Sequence, residues 1–148
     1  MTDQGEGNSD RQGPDDVPGS LTLSGAVALG TGVMIGAGIF AITDGIKALA
    51  MEARRLDGST HDRMEALIEA GVLKAEQVAD LRAAFDFLVR MRLRGQVEAL
   101  RAGRKPGNYI ALDQLNAMQQ GELRLAFEGV ASFQSFIQQH FKLQLLRN

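Results

Sequence analysis

The chain has 148 residues, of which 45% are hydrophobic and 23% charged, and this is enough for one domain with a hydrophobic core. Its formal net charge of −2 at pH 7 gives no basis for predicting a nucleic-acid partner. The absence of cysteine excludes disulfides, thiolate metal sites and a cysteine nucleophile. The two histidines, His61 and His140, could bind a metal only together with carboxylates. The sequence therefore predicts no metal site and no cofactor.

Residues 1–20 are predicted to form a disordered acidic tail. They are rich in Gly, Asp, Gln, Pro and Ser, and they contain five acidic residues and one arginine. Such a composition buries too little apolar surface to offset the entropy that is lost on ordering. A secretory signal has basic residues before its apolar run, whereas this chain begins with acidic ones, so we expect a cytoplasmic location.

Residues 21–43 form an apolar segment without a charged side chain. As a helix it would span about 34 Å, which exceeds the hydrocarbon core of about 30 Å. Its five glycines make it a poor helix in water, whereas transmembrane helices tolerate glycine. The segment is therefore a candidate transmembrane helix that would associate the chain with a membrane. The alternative is a glycine-rich apolar arm that packs onto the following helical domain.

Residues 44–148 show helical periodicity and no strand-like alternation of useful length. This pattern predicts an all-α fold, an antiparallel helical bundle. The first helix is expected to end near Asp57-Gly58. Ser59-Thr60 supplies the N-cap of the second helix, with Asp62 in its first turn and Gly71 at its end.

The third helix is predicted from about Ala75 to Ala102, and the last helix follows a cap at Asp113 or Asn116. Glycines and a proline between the two helices end the third one and build a loop. Apolar residues at helical spacing give each helix one buried face. They are Val78, Leu81, Phe85, Leu88, Val97 and Leu100 in the third helix, and Leu123, Phe127, Val130, Phe133 or Gln134, Ile137 and Phe141 in the last.

No catalytic residues are predicted. Nucleotidyl or phosphoryl transfer commonly uses an Asp-x-Asp pair near a Gly-Ser turn to hold magnesium. Gly19-Ser20 and Gly58-Ser59 occur in the chain, but neither is followed by Asp-x-Asp. The phosphate-binding GxxxxGK[ST] loop, the GxSxG turn and the HExxH motif are also missing from the sequence. We therefore expect that the chain catalyses no reaction on its own.

Basic residues are concentrated in residues 87–108, where six cations stand against one acid, Glu98. Arg90, Arg94 and Arg101 share one helical face, because steps of four and seven residues return to nearly the same direction. Such a row can bind a phosphate or carboxylate through bidentate hydrogen bonds. The alternative is a solvated face whose charge is offset by acids on neighbouring helices.

Three blocks within residues 38–146 resemble the nucleotidyltransferase substrate-binding domain, and they follow that family's order. They are GIFAITDGIKALAMEARRL, DLRAAFDFLVRMRLRGQVEALRAGRKPGNYI and LRLAFEGVASFQSFIQQHF. In bacterial and archaeal proteins of this family, the helical domain follows cyclic-nucleotide-binding or CBS modules and a nucleotidyltransferase domain. The resemblance implies a non-catalytic domain that binds substrate for a separate nucleotidyltransferase domain in signalling.

The resemblance and the basic face together predict a site for a nucleotide or another phosphate-bearing ligand, or for a partner nucleotidyltransferase domain. The chain departs from the family pattern at Gly95, where members often have a histidine before the glutamine. The 148 residues also include neither the catalytic domain nor the sensory modules. The predicted ligand-binding residues are Arg90, Arg94, Gln96, Arg101 and Asn108.

A second resemblance covers residues 20–43, which look like the first transmembrane helix of amino-acid permeases. In that family the Gly-Ala-Gly-Ile-Phe stretch, here Gly36 to Phe40, is an unwound segment whose backbone amides bind the substrate carboxylate. The resemblance implies a backbone site at Gly36 and Gly38, and the alternative function is a membrane-anchored permease fragment. Because the two resemblances overlap at residues 38–40, a gene fusion, or its remnant, is a further hypothesis.

Overall fold

The computed structural model describes residues 32–147. The predicted tail, residues 1–20, and the first part of the apolar segment, residues 21–31, lie outside the described residues. The predicted all-α fold is confirmed. In chain order the elements are strand β1 (Gly32–Met34), helix α1 (Ile35–Glu52), helix α2 (Thr60–Glu69), helix α3 (Ala75–Arg101), strand β2 (Tyr109–Ala111), a 3₁₀ turn (Leu112–Gln114) and helix α4 (Ala117–Arg147).

All four helices contribute to one hydrophobic core. Helix α1 contacts each of the other three, and the two longest helices, α3 and α4, pack along each other. Burial of each large aliphatic or aromatic side chain stabilises the fold by about 1.5–3 kcal/mol. The largest side chains that are less than 2% exposed are Ile35, Ile42, Ile46, Leu49, Met64, Leu67, Val78, Leu88, Leu123, Phe127 and Val130.

Within the described part of the apolar segment, residues 32–34 form β1 and residues 35–43 form the first half of α1. Ile35 and Ile42 are fully buried in the core, and Ile39 is 6% exposed. Helix α1 continues without a break across residues 43 and 44, where the sequence indicated the boundary of the helical domain. This half of the segment therefore packs onto the bundle. Between residues 32 and 147, no helix combines the length and apolar character that a membrane span requires.

Two glycines allow α1 to lie close to α3 and α4. A Cβ atom at Gly38 would lie 3.1 Å from Cδ1 of Leu88 and 3.4 Å from Cε1 of Phe127. At Gly45 the same atom would lie only 2.5 Å from Cε1 of Phe133. Because real Cβ atoms do not approach other carbons this closely, the missing side chain at Gly45 sets the distance between α1 and α4.

Predicted local signals set both ends of α2 and the start of α4, whereas α1 ends at Glu52, before the predicted stop near Asp57-Gly58, because Arg54 adopts a left-handed φ of +56°. The hydroxyl of Ser59 accepts a hydrogen bond from the amide of Asp62, and the Asp62 carboxylate accepts one from the Ser59 amide at 2.8 Å. This reciprocal pair caps α2. Gly71, with φ +73°, follows the end of that helix. Of the two predicted caps for α4, the structure uses Asn116, which exchanges hydrogen bonds with Gln119.

A two-stranded antiparallel ribbon, which the sequence did not predict, joins the start of α1 to the chain that follows α3. Gly32 pairs with Ala111, and Met34 pairs with Tyr109. The ribbon ends where the amide of Ile35 donates a hydrogen bond to the carbonyl of Asn108 at 2.8 Å. Strands of three residues are too short to produce a detectable alternation of apolar and polar side chains.

The apolar face predicted for α3 is correct in the first half of the helix and wrong in the second. Val97 and Leu100 are 44% and 62% exposed, while Met91 and Ala99 are buried in their place. The reason is the short α2, which has 10 residues against the 27 of α3. Helix α2 forms ion pairs with Arg82 and Asp86, which both lie in the first half of α3. It therefore does not cover the second half of α3.

We expect Gly45→Ala to destabilise the protein by about 1–2 kcal/mol. Overpacking a core costs about 1–3 kcal/mol, and replacing a helical glycine by alanine offsets up to about 1 kcal/mol of that cost. Gly121 in α4 is exposed, and a Cβ added there would meet no side chain and no other element within 4 Å, so Gly121→Ala should stabilise by up to about 1 kcal/mol. Urea unfolding of both variants measures the difference, and stabilisation by Gly45→Ala would contradict the close approach of α1 and α4.

Hydrogen bonds from the backbone amide and the hydroxyl of Ser59 lower the pKa of Asp62 below its ordinary value. A carboxyl group whose pKa is lower in the folded state than in the unfolded state stabilises the fold at pH values above its unfolded-state pKa. This stabilisation is lost as the pH falls through the folded-state pKa. We therefore expect wild type to have a higher melting temperature than Asp62→Asn at pH 7, and the difference to shrink as the pH falls below 3.8, the ordinary pKa of this carboxyl group.

Glu69→Gln is the matched control, because Glu69 is an exposed acid on the same helix. A melting-temperature difference between wild type and Asp62→Asn that stays the same from pH 7 to pH 3 would contradict the proposed cap.

Candidate functional site

A cleft of about 220 Å³ lies between the second half of α3 and the chain that follows it. One wall is the last three turns of α3, and the other is formed by the loop at residues 104–107, strand β2 and the 3₁₀ turn. The apolar floor comes from buried side chains of the hydrophobic core. They are Met91, Ala99, Ile110 and Leu115.

The end of α3 directs the loop back beside the helix. The amide of Ala102 donates to the carbonyl of Glu98, and Gly103 then adopts a left-handed φ of +70°. The amide of Arg104 donates to the carbonyl of Ala99 at 2.8 Å, so the chain reverses within one turn. This reversal places the side chains of Arg104 and Lys105 at the edge of the cleft.

The cleft carries an excess of positive charge. Arg94, Arg104 and Lys105 line it together with one acid, Glu98. Nε of Arg94 lies 3.1 Å from Oε1 of Glu98, and the two side chains are 51% and 46% exposed. An exposed pair of this kind contributes only about 0.3–0.5 kcal/mol, so a ligand can displace it. Within residues 32–147, Arg104 and Lys105 form no ion pair.

The predicted arginine row is present on the surface of α3, but its members do not share one cavity. Arg90, Arg94 and Arg101 are exposed on one side of the helix. Arg94 lines the cleft, whereas Arg90 borders a separate groove between α3 and α4. Gln96 is half-buried and lies on nearly the opposite side of α3 from Arg94, because two residues turn a helix by about 200°.

Asn108 and the two permease-like glycines belong to the framework beside the cleft. The Asn108 side chain covers Gly36, where an added Cβ would lie 3.0 Å from the amide group. Gly36 and Gly38 are buried residues of a continuous helix, which differs from the unwound segment that the permease resemblance implies. Their small size is therefore explained by contacts with Asn108 and the core.

Two cleft residues that the site prediction did not select are Arg104 and Lys105. Both were visible in the basic run of the sequence, but the reversal at Gly103 that brings them alongside Arg94 was not. Gln114 of the 3₁₀ turn also lines the cleft, and no pattern in the sequence marked it. Gly95, where the family often has a histidine, lies in the cleft wall, so this wall presents no imidazole.

Each histidine forms a polar contact with a carboxylate on a neighbouring helix. Nε2 of His61 lies 2.9 Å from Oδ1 of Asp86, between α2 and α3. Nε2 of His140 lies 2.9 Å from Oε2 of Glu52, between α4 and the end of α1. Neither pair adds a third ligand, and the described chain contains no group of three histidine or carboxylate side chains that could hold a metal ion.

A family model described as "Putative nucleotidyltransferase substrate binding domain" matches residues 35–141, which is more than two thirds of the chain. No curated protein and no solved structure matches the chain. The match begins with the first residue of α1 and includes the whole cleft. It therefore assigns residues 35–43 to the helical domain, and neither the permease resemblance nor a gene fusion gains support from these comparisons.

Proposed function

The chain belongs to the nucleotidyltransferase substrate-binding domain family, and on this basis we propose that it binds a phosphate-bearing substrate in the cleft at the end of α3. The observation that supports this site is its charge: Arg94, Arg104 and Lys105 surround an apolar floor with only Glu98 to oppose them. A phosphate group is the ligand chemistry that such a set of donors fits, because guanidinium and ammonium groups form charge-assisted hydrogen bonds with its oxygens.

The size of the cleft favours partial enclosure of the ligand. Sites that enclose a whole small molecule have volumes of about 300–1,000 Å³. A volume of about 220 Å³ accommodates a phosphate with part of a sugar or base, and the rest of a nucleotide would remain outside. A catalytic domain that docks over the cleft would then contact the exposed part of the ligand, where the transfer takes place.

The remaining arginines on the same side of α3 have a different role in this proposal. Arg90 and Arg101 are exposed and do not line the cleft. Their charge adds to the positive potential around the cleft and would raise the rate at which an anionic ligand arrives. Gln96 and Asn108 do not line the cleft, and the Asn108 side chain lies against Gly36, so in the proposal both residues support the fold.

The proposal includes no catalytic group in this chain. A separate nucleotidyltransferase domain would supply the carboxylates and the metal, and the chain would present the substrate to it. The signalling role that accompanies such domains in sensory proteins is part of the same proposal. A cytoplasmic location, where nucleotides are abundant, fits this role and stays a prediction.

We expect Arg104→Gln/Lys105→Gln to weaken nucleotide binding at least about tenfold, because each charge-assisted hydrogen bond contributes about 1.5–3 kcal/mol and 1.4 kcal/mol corresponds to a factor of ten. Isothermal titration calorimetry of the full chain with ATP, GTP, CTP, UTP and inorganic phosphate provides the measurement. Binding should also weaken as the salt concentration rises.

Lys47→Gln/Arg55→Gln is the matched control, since it removes the same charge from exposed positions outside the cleft. This control should bind the nucleotides as wild type does. Negligible heats for wild type with every ligand, or equal losses of affinity in the two variants, would refute the phosphate site.

A further inference from the structure

An open groove runs between α3 and α4 on a different side of α3 from the cleft. Its volume is about 550 Å³. Small and apolar residues form its floor, among them Ala83, Phe87, Ala126 and Gly129. Gly129 lies opposite Ala84, and a Cβ added at Gly129 would be 3.6 Å from the methyl group of Ala84. Because the facing side chains are small, the two helices meet at the base of the groove and leave its upper part empty.

A second depression, of about 180 Å³, extends this groove toward the start of α3. It shares Asp80, Gly129 and Ser132 with the groove and adds the rings of Phe133 and Phe136. From Glu122 to Phe136, α4 rises about 21 Å at 1.5 Å per residue. The two depressions together, which we call the α3–α4 groove, are thus about four helical turns long.

The rim of the α3–α4 groove is acidic. Asp80, Glu122 and Glu128 line it, and Arg90 is its one basic residue. Within the part of the chain that the structure describes, none of these three carboxylates forms an ion pair. Leu125 stands at the edge with 67% of its surface exposed. The groove therefore combines an uncovered apolar floor with negative charge, the opposite sign from the cleft.

We propose that the α3–α4 groove binds a basic amphipathic helix of a partner protein. An amphipathic helix recognises a groove by placing its apolar stripe on the floor, and a groove of four turns matches a helix of about fourteen residues. Charge complementarity determines the flanks of that helix: lysines or arginines on both sides of the stripe would face Asp80, Glu122 and Glu128. The proposal does not depend on phosphate binding, because none of these residues lines the cleft.

Fluorescence anisotropy with the full chain tests this proposal. The probe is a labelled eighteen-residue peptide with leucines at helical spacing and lysines on both flanks, and a second peptide carries glutamates in place of the lysines. We expect the lysine peptide to bind and the glutamate peptide not to bind. Glu122→Gln/Glu128→Gln should weaken binding of the lysine peptide about tenfold at low salt, and Ala83→Lys, which places a charged side chain on the floor, should abolish it.

Glu69→Gln/Asp44→Asn is the matched control, because it removes the same charge from exposed positions outside the groove and should leave peptide affinity unchanged. Thermal melting of each variant verifies that the bundle is intact, which is expected since Ala83, Glu122 and Glu128 are exposed. The proposal is overturned if wild type fails to bind the lysine peptide or if all variants bind it equally. It is also overturned if sedimentation shows a dimer that Ala83→Lys dissociates, which would assign the groove to a second copy of the chain.

Discussion

The close approach of α1 to α3 and α4 is the contact on which the rest of the structure depends. It requires that Gly38 and Gly45 have no side chain, because a Cβ at either position would meet Leu88 or Phe133 at less than an ordinary contact distance. With α1 in place, its isoleucines fill the space between the other helices and complete the core. Of the glycines that indicated a lipid environment in the sequence, Gly38 therefore has a packing role in the bundle.

The position of α1 also determines the cleft. Helix α1 begins directly after β1, β1 pairs with β2, and Ile110 of β2 supplies part of the cleft floor. Helix α3 contributes to both candidate sites: Arg94 faces the cleft, and Ala83 and Phe87 face the α3–α4 groove. The two surfaces carry opposite charge, so in the two proposals one helix separates the phosphate site from the site for a basic partner helix.

Much of the fold could be predicted from local signals in the sequence. The Ser59 cap, the stop at Gly71 and the limits of α3 depend on neighbouring residues, and each was identified correctly. The failures on α3 and at the candidate site involve long-range contacts. The burial of Val97 and Leu100 was expected from periodicity alone, but burial depends on α2, which is too short to reach them. The arginine row on α3 could be predicted because it depends only on helical periodicity. The approach of Arg104 and Lys105 to Arg94 could not, because it depends on a chain reversal and a ribbon that periodicity does not reveal.

The ribbon between β1 and β2 has a consequence for the order in which the protein folds. The ribbon pairs residues that precede α1 with residues that follow α3, so it closes a long loop of the chain. Closing a loop costs more conformational entropy as the loop lengthens. Helices and their contacts with sequence neighbours form before such pairings. We therefore expect the helices to assemble first and the cleft to take shape last, because its floor is completed by β2. We also expect the ribbon to open locally at a lower cost in free energy than global unfolding, so the cleft would adjust to the proposed ligand while the helical core stays intact.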